Sequence, residues 1–289
     1  MTEYETNVND TNTHNARRPS RGRSVGLVGF LFGVTGRATL PGVVLRRLLE
    51  DLGLSPDASR ALLSRMCRHG QLAGDRRGRS VDYRLAGEFA QGFERIRDQV
   101  IAQPTAWPGH FHAVLYQVPE HQRGFRDALR RRAVLAGYGL LQQGVLISPT
   151  DRSAQLADVL IARPSDTHVW TTTLGMEQEG AAGAASLAWD LPDLARLYRC
   201  HTERLTRQAD AHSRPGRPRG RPATSSGPEA LRDYVDTLLP ALTDTLREPR
   251  LAATLMPAYW PGPALRQAIA RFNDTFASTT EPYLQTMLG

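Results

Sequence analysis

The sequence predicts an α+β protein in three parts: an N-terminal winged helix-turn-helix, a middle ferredoxin-like α/β sandwich and a C-terminal helical domain. Three observations lead there. Helical stripes and then a basic hairpin fill the first third. Strand and helix signals alternate through the middle. Long amphipathic helices occupy the rest. With 289 residues and 40% hydrophobic content, the chain can bury a substantial core.

The elements follow in order. Residues 1–23 are polar, rich in Asn and Thr and then basic (ARRPSRGR), and are expected to be a disordered tail. They contain no apolar signal-peptide core, and no apolar run approaches the ~18–20 residues of a membrane span, so a cytoplasmic protein is expected. Order is expected from Ser24, where SVGLVGFLFG suits a first helix of about three turns. After a turn at Gly36, Pro41 can open a second helix at its first position, with Val44, Leu45, Leu48, Leu49 and Leu52 in helical period.

The third helix carries the chemistry. Ser55 is a suitable N-cap, Pro56 a suitable first residue and Asp57 an acid in the first turn. The helix runs to Gly70. Ala58, Leu62 and Met66 are expected to face inward with Leu63 and Cys67, while Arg60, Ser64 and Arg68 face outward with Arg65 adjacent. An outward face of arginine and serine suits the major groove. QLAGDRRGRSVDYRL then reads strand, turn, strand, with the turn at Asp75–Ser80 carrying Arg76, Arg77 and Arg79. A basic hairpin tip there suits the phosphate backbone or the minor groove. The helix GEFAQGFERIRDQV, with Phe89, Phe93, Ile96 and Val100 inward, leads out of this unit at about residue 103.

Charge agrees with that reading. The net charge is +7, and every one of the 36 basic residues is arginine. Between Ala16 and Arg84 there are 14 arginines against five acids, a balance of +9; set against the total, the remainder carries −2. A basic first third on a slightly acidic remainder suggests a nucleic-acid module joined to something else.

Residues 104–178 read strand (His112–Val118), helix (with Phe125, Leu129 and Ala133 inward), strand (LLQQGVLISP), helix (RSAQLADVLIAR) and strand (THVWTTTLG). That order suggests a small sheet with helices on one side. His110 and His112 share a strand with no carboxylate or thiol to complete a ligand set, so no metal is expected. Cys67 and Cys200 lie in no CxxC pair. There is no Gly-x-Ser-x-Gly, P-loop, Rossmann fingerprint or HExxH, and no catalytic residue is assigned. Residues 179–289 read as helices: LAWDLPDLARLYRCHTERLTRQ with Asp190 as N-cap, then PEALRDYVDTLLPALTDTLRE, then a last helix or two after Trp260-Pro261-Gly262. Tyr198, Tyr234, Tyr259 and Trp260 are core residues or the wall of an aromatic pocket. Between them, the basic Pro/Gly-rich insert 211–228 is a tether or, through Arg217, Arg219 and Arg221 around Gly220, a hook for the A·T minor groove.

The helix SRALLSRMCRHG leading into a basic wing, with VLYQVPE, LLQQGVLISP, WDLPDLARLYR and LMPAYWPG, resembles the PaaX-type transcriptional repressors, from about Val25 to the C-terminus. The resemblance implies a winged helix, a middle domain similar to the small CRISPR-associated spacer-acquisition nucleases, and a helical C-terminal domain. It also implies a homodimer on double-stranded operator DNA, released by a small-molecule effector: phenylacetyl-CoA in the founding members, or another acyl-CoA. Those nucleases carry an Asp after the strand tyrosine, where this chain has Gln117 after Tyr116, which argues against nuclease activity. An enzyme of nucleic acids or CoA thioesters built on the middle domain, and a non-specific architectural DNA binder, are the competing readings.

Overall fold

A helix that is apolar on nearly every side has to be buried on nearly every side. Helix α1 (Arg21–Thr35) is of that kind. In the computed structural model, which describes residues 21–78, 80–99, 106–213 and 227–289, Leu27, Val28, Phe30, Leu31 and Phe32 of α1 are all buried. The helix begins at Arg21, three residues before the expected onset at Ser24. Once buried turns nucleate it, each further residue adds a backbone hydrogen bond, and arginine is a good helix former. Residues 1–20 of the expected tail lie outside the described residues.

Strand β1 (Leu40–Pro41) leads directly into α2 (Gly42–Asp51), so Pro41 is the extended residue before the helix, φ −58° and ψ 136°, and not its first turn. Leu45, Leu48 and Leu49 are buried as their period requires. Helix α3 (Pro56–Arg68), strands β2 (Leu72–Arg77) and β3 (Ser80–Leu85) and helix α4 (Gly87–Gln99) follow. The three strands form an antiparallel sheet in the order β1-β3-β2. The hairpin turn is shorter than the expected Asp75–Ser80: Arg77 pairs with Ser80, leaving only Gly78 and residue 79 between the strands. Gly78 has φ 62°, which glycine adopts without penalty. The charged run Asp75–Arg76 stays in the ladder because its side chains are exposed. Helix α4 seats Phe89 and Phe93 against Gly29 and Gly33 of α1, where an added Cβ would lie 3.0 and 3.2 Å from the rings.

The middle unit comprises β4 (His110–Gln117), α5 (Arg123–Ala136), β5 (Gly139–Gln142), β6 (Val145–Ser148), α6 (Ala157–Ile161) and β7 (His168–Gly175). The stretch expected as one strand, LLQQGVLISP, is a hairpin, β5–β6, turning at Gln143-Gly144, with Gly144 at φ 87°. The extra strand turns the expected alternation into βαββαβ. The sheet order is β5-β6-β4-β7 with every neighbouring pair antiparallel, the arrangement of a ferredoxin-like sandwich. Both faces are covered, not one. Val114, Tyr116 and Leu146 pack on Leu129 and Ala133 of α5. Phe111, Ala113 and Ile147 pack on Ala181 and Ala185 of α7 (Gln178–Ala188) and on Leu251 and Leu255.

Helices α8 (Leu191–Ser213), α9 (Pro228–Thr245) and α10 (Gly262–Leu288) complete the chain. Asp190 caps α8 as expected, its carboxylate 3.4 Å from the Asp193 amide. The main core crosses the sequence. Leu31, Leu48 and Met66 of the first helices share one buried cluster with Tyr198, Val235 and Phe272 of the last three. At its edge the buried Asp51 carboxylate accepts from Tyr283 Oη, and its carbonyl accepts from Arg232. Among the described residues no helix is long and apolar enough to cross a membrane.

Candidate nucleic-acid interface

The geometry of α3 is set at its N-terminus. Ser55 is extended (φ −70°, ψ 156°), and its hydroxyl accepts from the Ala58 amide at 3.2 Å. Pro56 occupies the first turn, and Asp57 lies at the positive end of the helix. The inner face comprises Ser59, Leu62, Leu63 and Met66, all buried. The expected inner residue Ala58 is exposed; the helix is rotated so that its neighbour Ser59 enters the core, its hydroxyl without a hydrogen-bond partner. That rotation leaves the outer face as expected. Arg60, Ser64 and Arg68 are exposed and Arg65 is half-buried. Arg60 forms an ion pair with Asp57 one turn earlier, which orients its guanidinium along the helix surface. Burial pushes the Cys67 thiol up, so it packs as a neutral group.

Only His69-Gly70-Gln71 separates α3 from the hairpin. The Gln71 amide bonds the Met66 carbonyl at 2.9 Å, and β2 begins at the next residue. Arg76 is exposed near the tip, and Arg84 lies 3.8 Å from Asp75 across the ladder. The Arg77 side chain, Arg79 and the hook residues Arg217, Arg219 and Arg221 lie outside the described residues. The structure thus presents Arg60, Ser64, Arg68 and Arg76 to solvent on a helix and the hairpin that follows it.

A second feature was not legible in the sequence. A cleft of about 1220 Å³ opens between α1, α4, the α5–β5 junction and α9. Its floor includes Phe30, Phe89 and Tyr234, and its rim carries Val134, Leu135, Leu187 and Leu246, large apolar side chains that stand exposed. Arg132, Arg152 and Arg247 also line it. Arg132 pairs with Asp158 at 3.3 Å, and Arg247 with Asp193 at 3.4 Å and Asp244 at 3.5 Å. The wall nearest α3 and the hairpin is His69-Gly70-Gln71, the segment joining α3 to β2. Of the four aromatics suggested for a pocket, only Tyr234 lines the cleft. Tyr198 is fully buried and donates to Glu248 at 2.7 Å, Trp260 Nε1 donates to the same carboxylate at 3.0 Å, and Tyr259 is 95% exposed. Tyr198 and Trp260 lie elsewhere because the core absorbs them, and Tyr259 because it faces solvent.

Tyr116 Oη accepts from Arg130 Nε at 2.7 Å, and the His110 and His112 rings sit edge to face at 5.4 Å. No group of three or more His, Cys, Asp or Glu able to hold a metal occurs among the described residues.

Comparison with known proteins agrees with this layout. Residues 30–89 match the model described as PaaX-like protein, and residues 104–185 match the PaaX protein central Cas2-like domain. No curated protein matches. Among solved structures, the uncharacterized protein Rv0674 from Mycobacterium tuberculosis shares the fold with a TM-score of 0.52 at 23% identity, over 90% of this chain and 97% of that one. Both family-model matches support assignment to the PaaX-type family.

Proposed function

We propose that this protein is a sequence-specific DNA-binding transcriptional regulator, a repressor, that acts as a homodimer and leaves its operator when a small-molecule effector binds. In this reading 24–103 is a winged-helix module, 104–178 the ferredoxin-like middle domain and 179–289 the helical domain. Helix α3 enters the major groove. Arg60, Ser64, Arg65 and Arg68 meet base edges or adjacent phosphates, and Arg76, Arg77 and Arg79 hold the backbone. Arg217, Arg219 and Arg221 add a tethered minor-groove contact. Membership of a family of regulators supports the reading. The observation that carries it is the separation of the α3 faces: Leu62, Leu63 and Met66 buried, and Arg60, Ser64 and Arg68 outward beside a basic hairpin.

The cleft is the proposed effector site. Apolar rim residues suit an acyl group, and arginines suit an anionic remainder, so acyl-CoA thioesters, phenylacetyl-CoA first, are the ligands to test. Because His69–Gln71 forms one wall, a ligand there would lie against the segment that joins α3 to the hairpin.

The test is selection from genomic fragments followed by mobility shifts at rising salt. A regulator of this kind prefers its site by ~10³-fold or more over random DNA. Equal retention of all fragments would overturn the reading.

A further inference from the structure

We propose that Asn273 sets the specificity of the cleft: its amide donates to an oxygen on the ring of an aryl thioester, so that a ring-hydroxylated aryl-CoA is preferred to the unsubstituted one. The assignment rests on the cleft being the effector site, as proposed above. Helices α1, α9 and α10 supply one side of the cleft, and most of what they supply is glycine or apolar. Three of their lining residues bear polar side chains: Tyr234, Thr243 and Asn273. The Thr243 hydroxyl donates to the Leu239 carbonyl at 2.8 Å, one turn back in its own helix. The Tyr234 hydroxyl donates to Asn273 Oδ1 at 3.0 Å. That bond engages the amide oxygen and leaves the two N–H groups of Asn273, which have no partner among the described residues. They are the side-chain donors still open on that side of the cleft.

The amide is held in one orientation. Tyr234 is buried, with its ring edge-on to Phe30 at 5.5 Å and stacked on Phe272 at 5.7 Å. Burial pushes its phenol up to about 12, so at neutral pH it keeps its proton and draws the amide oxygen toward itself. Phe30, Phe89 and Tyr234 give an aryl group apolar surface and ring edges to pack on. A hydroxyl on that aryl group accepts from Asn273 and can donate in turn to the Tyr234 oxygen, which still has lone pairs to offer. Arg132 and Arg152 line the cleft from the middle unit and suit the phosphates at the other end of a CoA thioester. A few placed polar groups in an otherwise apolar pocket are what orient and select a ligand.

The experiment is isothermal titration of the full chain with phenylacetyl-CoA and with its three ring-monohydroxylated forms. At least one hydroxylated thioester is expected to bind roughly five- to tenfold tighter than phenylacetyl-CoA, the worth of one neutral hydrogen bond. Tyr234→Phe leaves the amide in place and is expected to keep that preference. Tyr234→Phe/Asn273→Leu replaces both members of the pair by apolar groups of similar shape, a change that costs little stability, and is expected to lose it. Circular dichroism checks the folding of both variants. Equal Kd values for the native chain, or a preference for the unsubstituted ring, overturn the assignment while leaving the cleft as the effector site. A preference that survives in the double variant overturns it as well, and one that vanishes in Tyr234→Phe gives the role to the phenol instead. A native chain that binds none of the four thioesters overturns both this assignment and the acyl-CoA reading of the cleft.

Discussion

Because the first and last helices share one core, truncating a side chain near the C-terminus is expected to loosen α3. Phe272 of α10 is fully buried, its ring 5.7 Å from Tyr234 and 4.4 Å from Phe276, and Tyr234 in turn lies 5.5 Å from Phe30 of α1. A Phe→Ala change in such a place costs about 3–5 kcal/mol, from lost transfer energy and the cavity left behind. For a cooperative unit of 150–250 residues each kcal/mol lowers Tm by roughly 2–4 °C, so Phe272→Ala should melt about 6–20 °C below the native chain. Circular dichroism gives the midpoint, and hydrogen exchange read by mass spectrometry follows the amides of α2 and α3. The expected result is a single transition with protection in α3 falling by the same free energy. A variant in which α8–α10 unfold first while α3 keeps native protection would show that the shared cluster does not couple the two ends, and the single-core reasoning would fail.

Other consequences are equally direct. Ser55→Ala removes the acceptor for the Ala58 amide and should cost about 1 kcal/mol in urea unfolding. Gly87→Ala places a Cβ 2.7 Å from the Gly70 carbonyl at φ 55°, and should cost more than the ~1 kcal/mol at stake in a compatible Gly→Ala change, again by urea unfolding. Leu135→Asp, at the exposed cleft rim, should reduce the thermal shift given by an active acyl-CoA while leaving operator affinity in its absence unchanged. Burial raises the tyrosines of the core: Tyr198 and Tyr283 well above their ordinary value and Tyr234 to about 12. A folded-state pKa above the unfolded one stabilises below the unfolded value, about 10, and that contribution is lost as pH rises through the folded value. Absorbance at 295 nm should therefore show these phenols ionising only with alkaline unfolding, above about pH 10.

Local signals in the sequence carried the elements well and their assembly poorly. Ser55, Pro56 and Asp57 placed the start of α3 because capping is decided within one turn. Its inner face was displaced by one residue, since Ala58 and Ser59 are both small and pattern alone does not rank them. The β5–β6 turn was missed because Gln143-Gly144 interrupts an otherwise apolar run without a stronger turn signal. Helix α7 was not foreseen because its buried face is only alanine, which fits closely on the sheet but leaves no stripe of large residues to read. The cleft was illegible for a different reason. Phe30, Phe89, Leu135 and Tyr234 are separated by tens of residues, and only packing brings them together. The shared core was hidden likewise, since each helix stripe shows what is apolar and not which helix it meets.

In the proposed function the outward arginines of α3 read sequence. The most direct measurement compares operator and random-DNA Kd values for the native chain and for Arg60→Ala/Arg65→Ala at matched salt. At ~1–3 kcal/mol per base contact, losing two contacts should shrink the ratio of the two constants by about 30-fold or more, with a far smaller fall on random DNA. An equal loss on both sequences would assign these arginines to phosphates alone and contradict the account.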